Sequence, residues 1–263
     1  MIRALYTAAS GMQAQQSNLD NVANNLANAS TAGFRKRRLQ FEDLMYQNMI
    51  APGSAATQNT TNVAGLQIGL GTRTVATEIL QTQGDFQQTG NPLDVTIQGA
   101  GFFQIKRPNG DIAYTRAGSF HLDAQGNMVT ANGDMLDPAI TIPTNAQSIS
   151  IGNDGTVSAM VPGQSQAQQV GQIQLATFAN PGGLNSLGGN LFSATAASGR
   201  PVTGNPGGPE GMGSLLQGSL ENSNVNMVEE FVQMIAAQRS YEANSRVVRA
   251  ADDMLQQIGQ MAR

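Results

Sequence analysis

Cysteine and tryptophan are absent from this chain, and histidine occurs once. Without thiols there is no disulfide framework, thiolate nucleophile or sulfur ligand set, and the chain can enter an oxidising compartment without mispairing. The lone His121 has no second histidine or cysteine to share a zinc ion with, so it reads as an ordinary strand residue. Charged residues make up only 12% of the chain, against about a quarter in ordinary globular domains. The balance of that charge is acidic, −4, which argues against nucleic acid as a partner. No run of eighteen apolar residues occurs, so no transmembrane helix and no direct membrane insertion are expected. After Arg3 no apolar core develops, and amides begin at Gln13, so the N-terminus does not read as a cleavable secretory signal.

Catalytic signatures are missing as well. There is no Gly-x-Ser-x-Gly elbow and no Gly-Lys-Ser/Thr phosphate loop. Gly99-Ala100-Gly101 leads into Phe102-Phe103, which continues as strand, so a dinucleotide fingerprint is excluded and the glycines mark a bend. The acidic pair Glu229-Glu230 suits a helix N-terminus, and Asp252-Asp253 a solvated or subunit-facing stretch. The chain is therefore read as a non-enzyme that needs no cofactor and no metal.

What is present is long helical periodicity at both ends. Leu5, Met12, Leu19 and Leu26 recur every seven residues, with Ala8, Val22 and Ala29 on the companion seam and Gln15 as a polar break. Near the C-terminus Met234, Tyr241, Val248, Leu255 and Ala262 repeat in the same way, flanked by Ala237, Ala251 and Ile258, with Asn244 as the break. Alternating three and four spacing over several heptads predicts coiled-coil-like helices over residues 1–32 and 226–262. Gly33 supplies a left-handed stop, and Asn226 with Glu229 supplies a start close to a capping box.

The faces away from these seams carry amides and hydroxyls. From Ala4 to Phe34 the only charged residue is Asp20, while Asn18, Asn21, Asn24, Asn25 and Asn28 crowd the helix. Such a helix gains little from propensity or ion pairs. Its uncharged amides suit close protein contact, where no charge has to be desolvated. We expect the terminal helices to be ordered by assembly. The basic run Arg35-Lys36-Arg37-Arg38 is read as a solvated or helix-end-complementing cluster.

Between the helices the period switches to two. Strands are expected at 72–77, 93–98, 102–105, 114–122, 127–130, 148–151, 156–161 and 172–178, separated by turns such as Asn109-Gly110 and Asp123–Asn127. Phe41, Leu44, Met45 and Met49 fit a short helical or extended piece, and the polar stretch 51–64 reads as a long loop. The fold class is thus α+β, with paired terminal helices flanking a mainly antiparallel β-region in a nested layout. Residues 1–32 with 226–263 would form a helical core. Residues 33–90 with 190–225 would form a connecting β-rich domain carrying the inserted segment 46–64, and residues 91–189 an outer antiparallel domain.

Several motifs fix a resemblance. Ser10-Gly11-Met12, Asn21-Val22-Ala23-Asn24-Asn25-Leu26-Ala27-Asn28 and Thr31-Ala32-Gly33-Phe34-Arg35 resemble the N-terminal signature of the flagellar rod and hook protein family. Glu221-Asn222-Ser223-Asn224-Val225-Asn226, Glu229 and Gln238-Arg239-Ser240-Tyr241-Glu242-Ala243-Asn244 are similar to its C-terminal half. Gln98–Phe103 and Tyr114–Phe120 resemble its central β-region. Within the family, the length and the segment from Tyr46 to Ala64 resemble the distal-rod branch; proximal rod and hook subunits are the alternatives, and a fibre or adhesin-type binding module is the alternative of another class.

The resemblance implies a structural subunit that leaves the cell through the flagellar type III export apparatus and polymerises into a hollow helical shaft across periplasm and outer membrane. It implies self-association and contacts with proximal rod proteins, hook protein, and the peptidoglycan and outer-membrane rings. The terminal helices would line the channel, and segment 46–64 would stiffen the polymer. The residues implicated in assembly are Leu5, Met12, Leu19, Asn24, Asn25, Leu26, Asn28, Gly33 and Phe34 at one end, and Asn226, Glu229, Met234, Arg239, Tyr241, Asn244, Val248 and Leu255 at the other.

Overall fold

The computed structural model describes residues 2–53, 55–57, 60–61, 63–163, 166–208 and 211–261. Long terminal helices bracket mainly antiparallel β-structure, the expected α+β class. The chain divides into two compact units, Met1–Ala27 with Arg37–Glu78 and Asn226–Arg263, and Asn28–Lys36 with Ile79–Val225.

The first unit is built on α1 (Ile2–Ala27) and α2 (Met227–Met261). Helix α1 stops five residues short of the expected end. Thr31 donates from its amide to the Asn28 carbonyl at 3.1 Å and from its hydroxyl to Asn28 Oδ1 at 3.2 Å. Asn, Ser and Thr at 28–31 make local bonds that compete with the helical ladder. Helix α2 begins as expected: Asn226 Oδ1 accepts the amides of Val228 at 3.0 Å and Glu229 at 3.4 Å, an N-cap.

The two helices pack antiparallel, since Gly11 meets Asn244 at one end of the contact and Asn25 meets Glu230 at the other. The closest seam is made of small residues. Ala8, Ala14 and Val22 of α1 and Ala237 and Ala251 of α2 are buried, whereas Leu5, Met12, Leu19 and Leu26 are half-buried. Ala262 lies outside the described residues.

The rest of this unit is a ribbon of three nested strand pairs. Arg37–Asp43 pairs with Thr72–Ile79, Tyr46–Ile50 with Leu66–Gly69, and Ala55–Thr57 with Thr60–Thr61. The stretch 51–64 is therefore not one long loop, because its described middle turns back on itself in ladder contact; Ser54, Gln58, Asn59 and Asn62 lie outside the described residues. Phe41, Met45 and Met49 take the extended alternative and are exposed. A two-stranded ribbon buries little by itself.

In the second unit the central strand is Phe102–Lys106. It pairs antiparallel with Ile112–Thr115, Met135–Asp137 and Leu175–Thr177. Alternation sends neighbouring phenylalanines to opposite faces. Phe103 enters the main core with Val95, Ile97, Ile105, Phe120 and Leu136, and stacks edge-on to Phe120 at 5.2 Å. Phe102 enters a smaller aromatic cluster with Tyr114, Phe178 and Phe192. Strand Thr156–Met160, between Ser148–Ile151 and Gln168–Gln172, adds Val157 and Ala159 to the main core.

Two expected strands are interrupted. The stretch 114–122 breaks into Ile112–Thr115 and Phe120–Leu122. Between them Gly118 comes so close to the Val95 carbonyl that an added Cβ would overlap it. The stretch 172–178 is likewise split, between strands Gln168–Gln172 and Leu175–Thr177; the Ile173 amide between them bonds to the Gly155 carbonyl at 2.8 Å.

Candidate assembly surface

The helix pair leaves a large apolar surface uncovered. On α2 the side chains of Val228, Phe231, Val232 and Ile235 are each at least half exposed. Their spacing of three and four places them on one stripe of the helix. Further along, Val247, Met254, Leu255, Ile258 and Met261 are also exposed. The first stripe was not among the residues singled out from sequence, although its periodicity is legible there. The heptad seam was chosen instead; its Ala237 and Ala251 are buried against α1, whereas its Tyr241, Leu255 and Ile258 are exposed.

The sequence-derived residues are distributed unevenly. Met234, Asn244 and Val248 are half-buried, while Tyr241 and Leu255 are exposed, as are Arg239 and Asn24. Glu229 accepts a hydrogen bond from Gln233 at 3.1 Å. Asn28, Gly33 and Phe34 fall in the β-rich unit. Gly33 there takes φ of +71° and sits so near Ala117 that an added Cβ would be 2.6 Å from its amide nitrogen.

Part of the amide face is used inside the subunit. Asn25 is 1% exposed. Its Nδ2 donates to Glu230 Oε2 at 3.1 Å and to the Arg37 carbonyl at 2.9 Å, and its Oδ1 accepts the Arg37 amide at 3.0 Å. Asn21 donates to the same carbonyl at 2.9 Å. These asparagines fasten the β-ribbon and α2 to α1. At the other end of the helix contact Gly11 leaves room for the Asn244 amide, which an added Cβ would meet at 2.9 Å.

The basic run also departs from its expected solvation. In the β-rich unit Arg35 is buried and its Nη1 lies 2.7 Å from Glu221 Oε1. Arg116 reaches the same carboxylate, Nε to Oε2 at 3.2 Å, and donates to the Gly101 and Gly99 carbonyls at 2.6 and 2.7 Å. Burial pulls the Arg116 guanidinium down to about 10, with Glu221 opposing and Arg35 adding to the effect. It still carries its charge at neutral pH. Arg38, by contrast, pairs at the surface with Glu78 at 2.8 Å. No sequence signal links Arg35, Arg116 and Glu221, because only the strand connections bring these distant positions together.

Among the described residues no cluster of His, Asp and Glu is placed to hold a metal ion, and no helix is long and apolar enough to cross a membrane. His121 is exposed on a strand. A helix pair with apolar stripes open to solvent, joined in sequence to β-structure, defines a protein built to self-associate.

Comparison with known proteins makes this specific. Residues 5–35 match the flagella basal body rod protein family, residues 96–159 the flagellar hook protein FlgE/F/G D1 domain, and residues 216–261 the flagellar basal body rod FlgEFG protein C-terminal domain. The chain is 48% identical to the flagellar basal-body rod protein FlgG of Buchnera aphidicola from Schizaphis graminum, over 99% of this chain and all of the relative. It is 48% identical to FlgG of Borreliella burgdorferi over 97% of both chains, and 42% identical to FlgG of Bacillus subtilis over the whole of both. The chain belongs to the flagellar basal-body rod protein FlgG family. It is a structural subunit of the basal-body rod and not an enzyme; it self-polymerises and associates with other basal-body components.

Proposed function

We propose that this subunit builds the distal part of the rod, a hollow helical shaft that transmits torque and encloses an export channel. Residues 1–32 with 226–263 would act as the polymerising core, residues 33–90 with 190–225 as the connecting domain, and 91–189 as the outer domain. The observation that carries the reading is the exposed stripe Val228, Phe231, Val232 and Ile235 on α2. Exposed apolar area of this size is a liability in a monomer and a binding surface in a polymer. The amides of α1 that stay exposed, such as Asn24, suit a channel wall that does not hold passing chains by charge. Proximal rod subunits, hook protein, and the peptidoglycan and outer-membrane rings are the proposed neighbours, and the flagellar type III apparatus the export route. In this reading the rod crosses the periplasm and outer membrane. The ribbon around Tyr46–Ala64, with Met45, Tyr46, Met49 and Ile50 exposed, supplies further contacts that stiffen the polymer.

Electron microscopy of the purified chain at rising concentration tests the proposal. Straight tubes with a central channel are expected. Amorphous material, or a monomer at every concentration, would overturn it. Circular dichroism gives an independent check, since helix content should rise on assembly.

A further inference from the structure

The Arg35–Glu221–Arg116 cluster adjoins a cavity of about 260 Å³ lined by Arg35, Gln81, Gln83, Ala100, Phe102 and Arg116, with Gly99, Gly101 and Pro181 completing its wall. Two guanidiniums share one carboxylate here, and all three side chains are at most 4% exposed. An unbalanced buried cation is costly unless an anion reaches it. Arg35 commits Nη1 to both Glu221 and the Thr82 carbonyl, while its buried Nε has no hydrogen-bond partner. The carbonyls that would repel an anion, Gly99 and Gly101, are already taken by Arg116. Gln83 is held by the Ile97 carbonyl and the Gly99 amide, and Gln81 by the Pro181 carbonyl, so the wall is preset.

We propose that this cavity is a carboxylate-binding site: one carboxylate, from an acidic side chain of a second copy of this chain or from a small free acid, enters it and completes the charge balance of Arg35 and Arg116. The second-copy source rests on the polymer reading, and the free-acid source does not. A carboxylate suits the site because it accepts charge-assisted bonds from a guanidinium, and the buried Arg35 Nε still lacks an acceptor.

Acetate is the probe, used on the dilute full-length monomer against sodium chloride at equal ionic strength. The Arg35 and Arg116 Nε–Hε nitrogen resonances should shift saturably with acetate and not with chloride. Ala100→Asp, which tethers a carboxylate at the exposed rim of the cavity, should abolish the acetate response and place both resonances near their acetate-saturated positions. Resonances unmoved by acetate, or moved equally by chloride, would overturn the proposal, and so would an Ala100→Asp chain that responds like the parent. Assembly assays then separate the sources. If a second copy fills the site, saturating acetate lowers the polymer yield several-fold and slows its appearance; if a free acid fills it, yield and rate stay unchanged. Failure of the chain to polymerise would sink the rod reading while leaving the monomer titration intact.

Discussion

Asn25 Nδ2 stands 3.1 Å from Glu230 Oε2, and both side chains are closed to solvent. The pair ties α1 to α2, and the same asparagine holds the Arg37 backbone through two further bonds. Asn25→Ala removes all three contacts and leaves buried polar groups behind. We expect a loss of about 2–4 kcal/mol, read from urea unfolding of the dilute monomer. Asn25→Asp sets a second carboxylate against the buried Glu230 and should lower the urea midpoint at neutral pH at least as far as Asn25→Ala does.

Glu221→Gln keeps the shape of the side chain and removes the carboxylate shared by Arg35 and Arg116. Two buried guanidiniums then face each other uncompensated, and about 3–5 kcal/mol should be lost. Thermal unfolding followed by near-ultraviolet dichroism measures this. Arg38→Ala breaks a surface pair with Glu78 and should leave the midpoint unchanged.

Phe231→Asp and Val232→Asp alter exposed positions on the α2 stripe. Monomer stability should stay within about 0.5 kcal/mol of the parent, while sedimentation and microscopy should show no tubes. Tubes formed normally by both variants would remove this stripe from the assembly surface.

Deleting 46–64 takes away one strand of the Tyr46–Ile50 and Leu66–Gly69 pair together with its tip. The helix pair does not depend on that strand, so tubes should still form but bend more. Contour analysis of micrographs decides the matter, since an unchanged persistence length would rule out a stiffening role.

Asp123 accepts the Asn127 side-chain amide and the backbone amides of Asn127 and Gln125, bonds that hold its carboxyl below the usual range, the Asn127 side chain contributing most. A depressed carboxyl contributes stability that is fully present above its unfolded value of about 3.9 and is lost as pH falls through the lower folded value. The Gln125 and Asn127 amide resonances should report a midpoint below about 3.9, and Asp123→Asn should remove that transition.

The family, the terminal helices and the alternating strands were legible in the sequence because each is written in local period: seven-residue repeats at Leu5 to Leu26, two-residue alternation at Phe102 to Ile105, and an Asn226 cap. Errors arose where a single residue answered to a distant partner. The strand expected over 114–122 breaks where Arg116 turns toward Glu221 and Gly118 meets Val95. Arg35 looked like one of four solvated charges, yet it is buried, while Arg38 stays at the surface.

Sequence alone thus determined that this is a cysteine-free, charge-poor subunit with long amphipathic ends, and which family it resembles. Tertiary structure decided which parts of those ends are spent within the subunit. Asn25 and Asn244 face the partner helix, whereas Phe231 and Val232 are left to solvent. The physical reason is that periodicity names the faces of a helix, but only antiparallel packing in one register determines which face the partner covers.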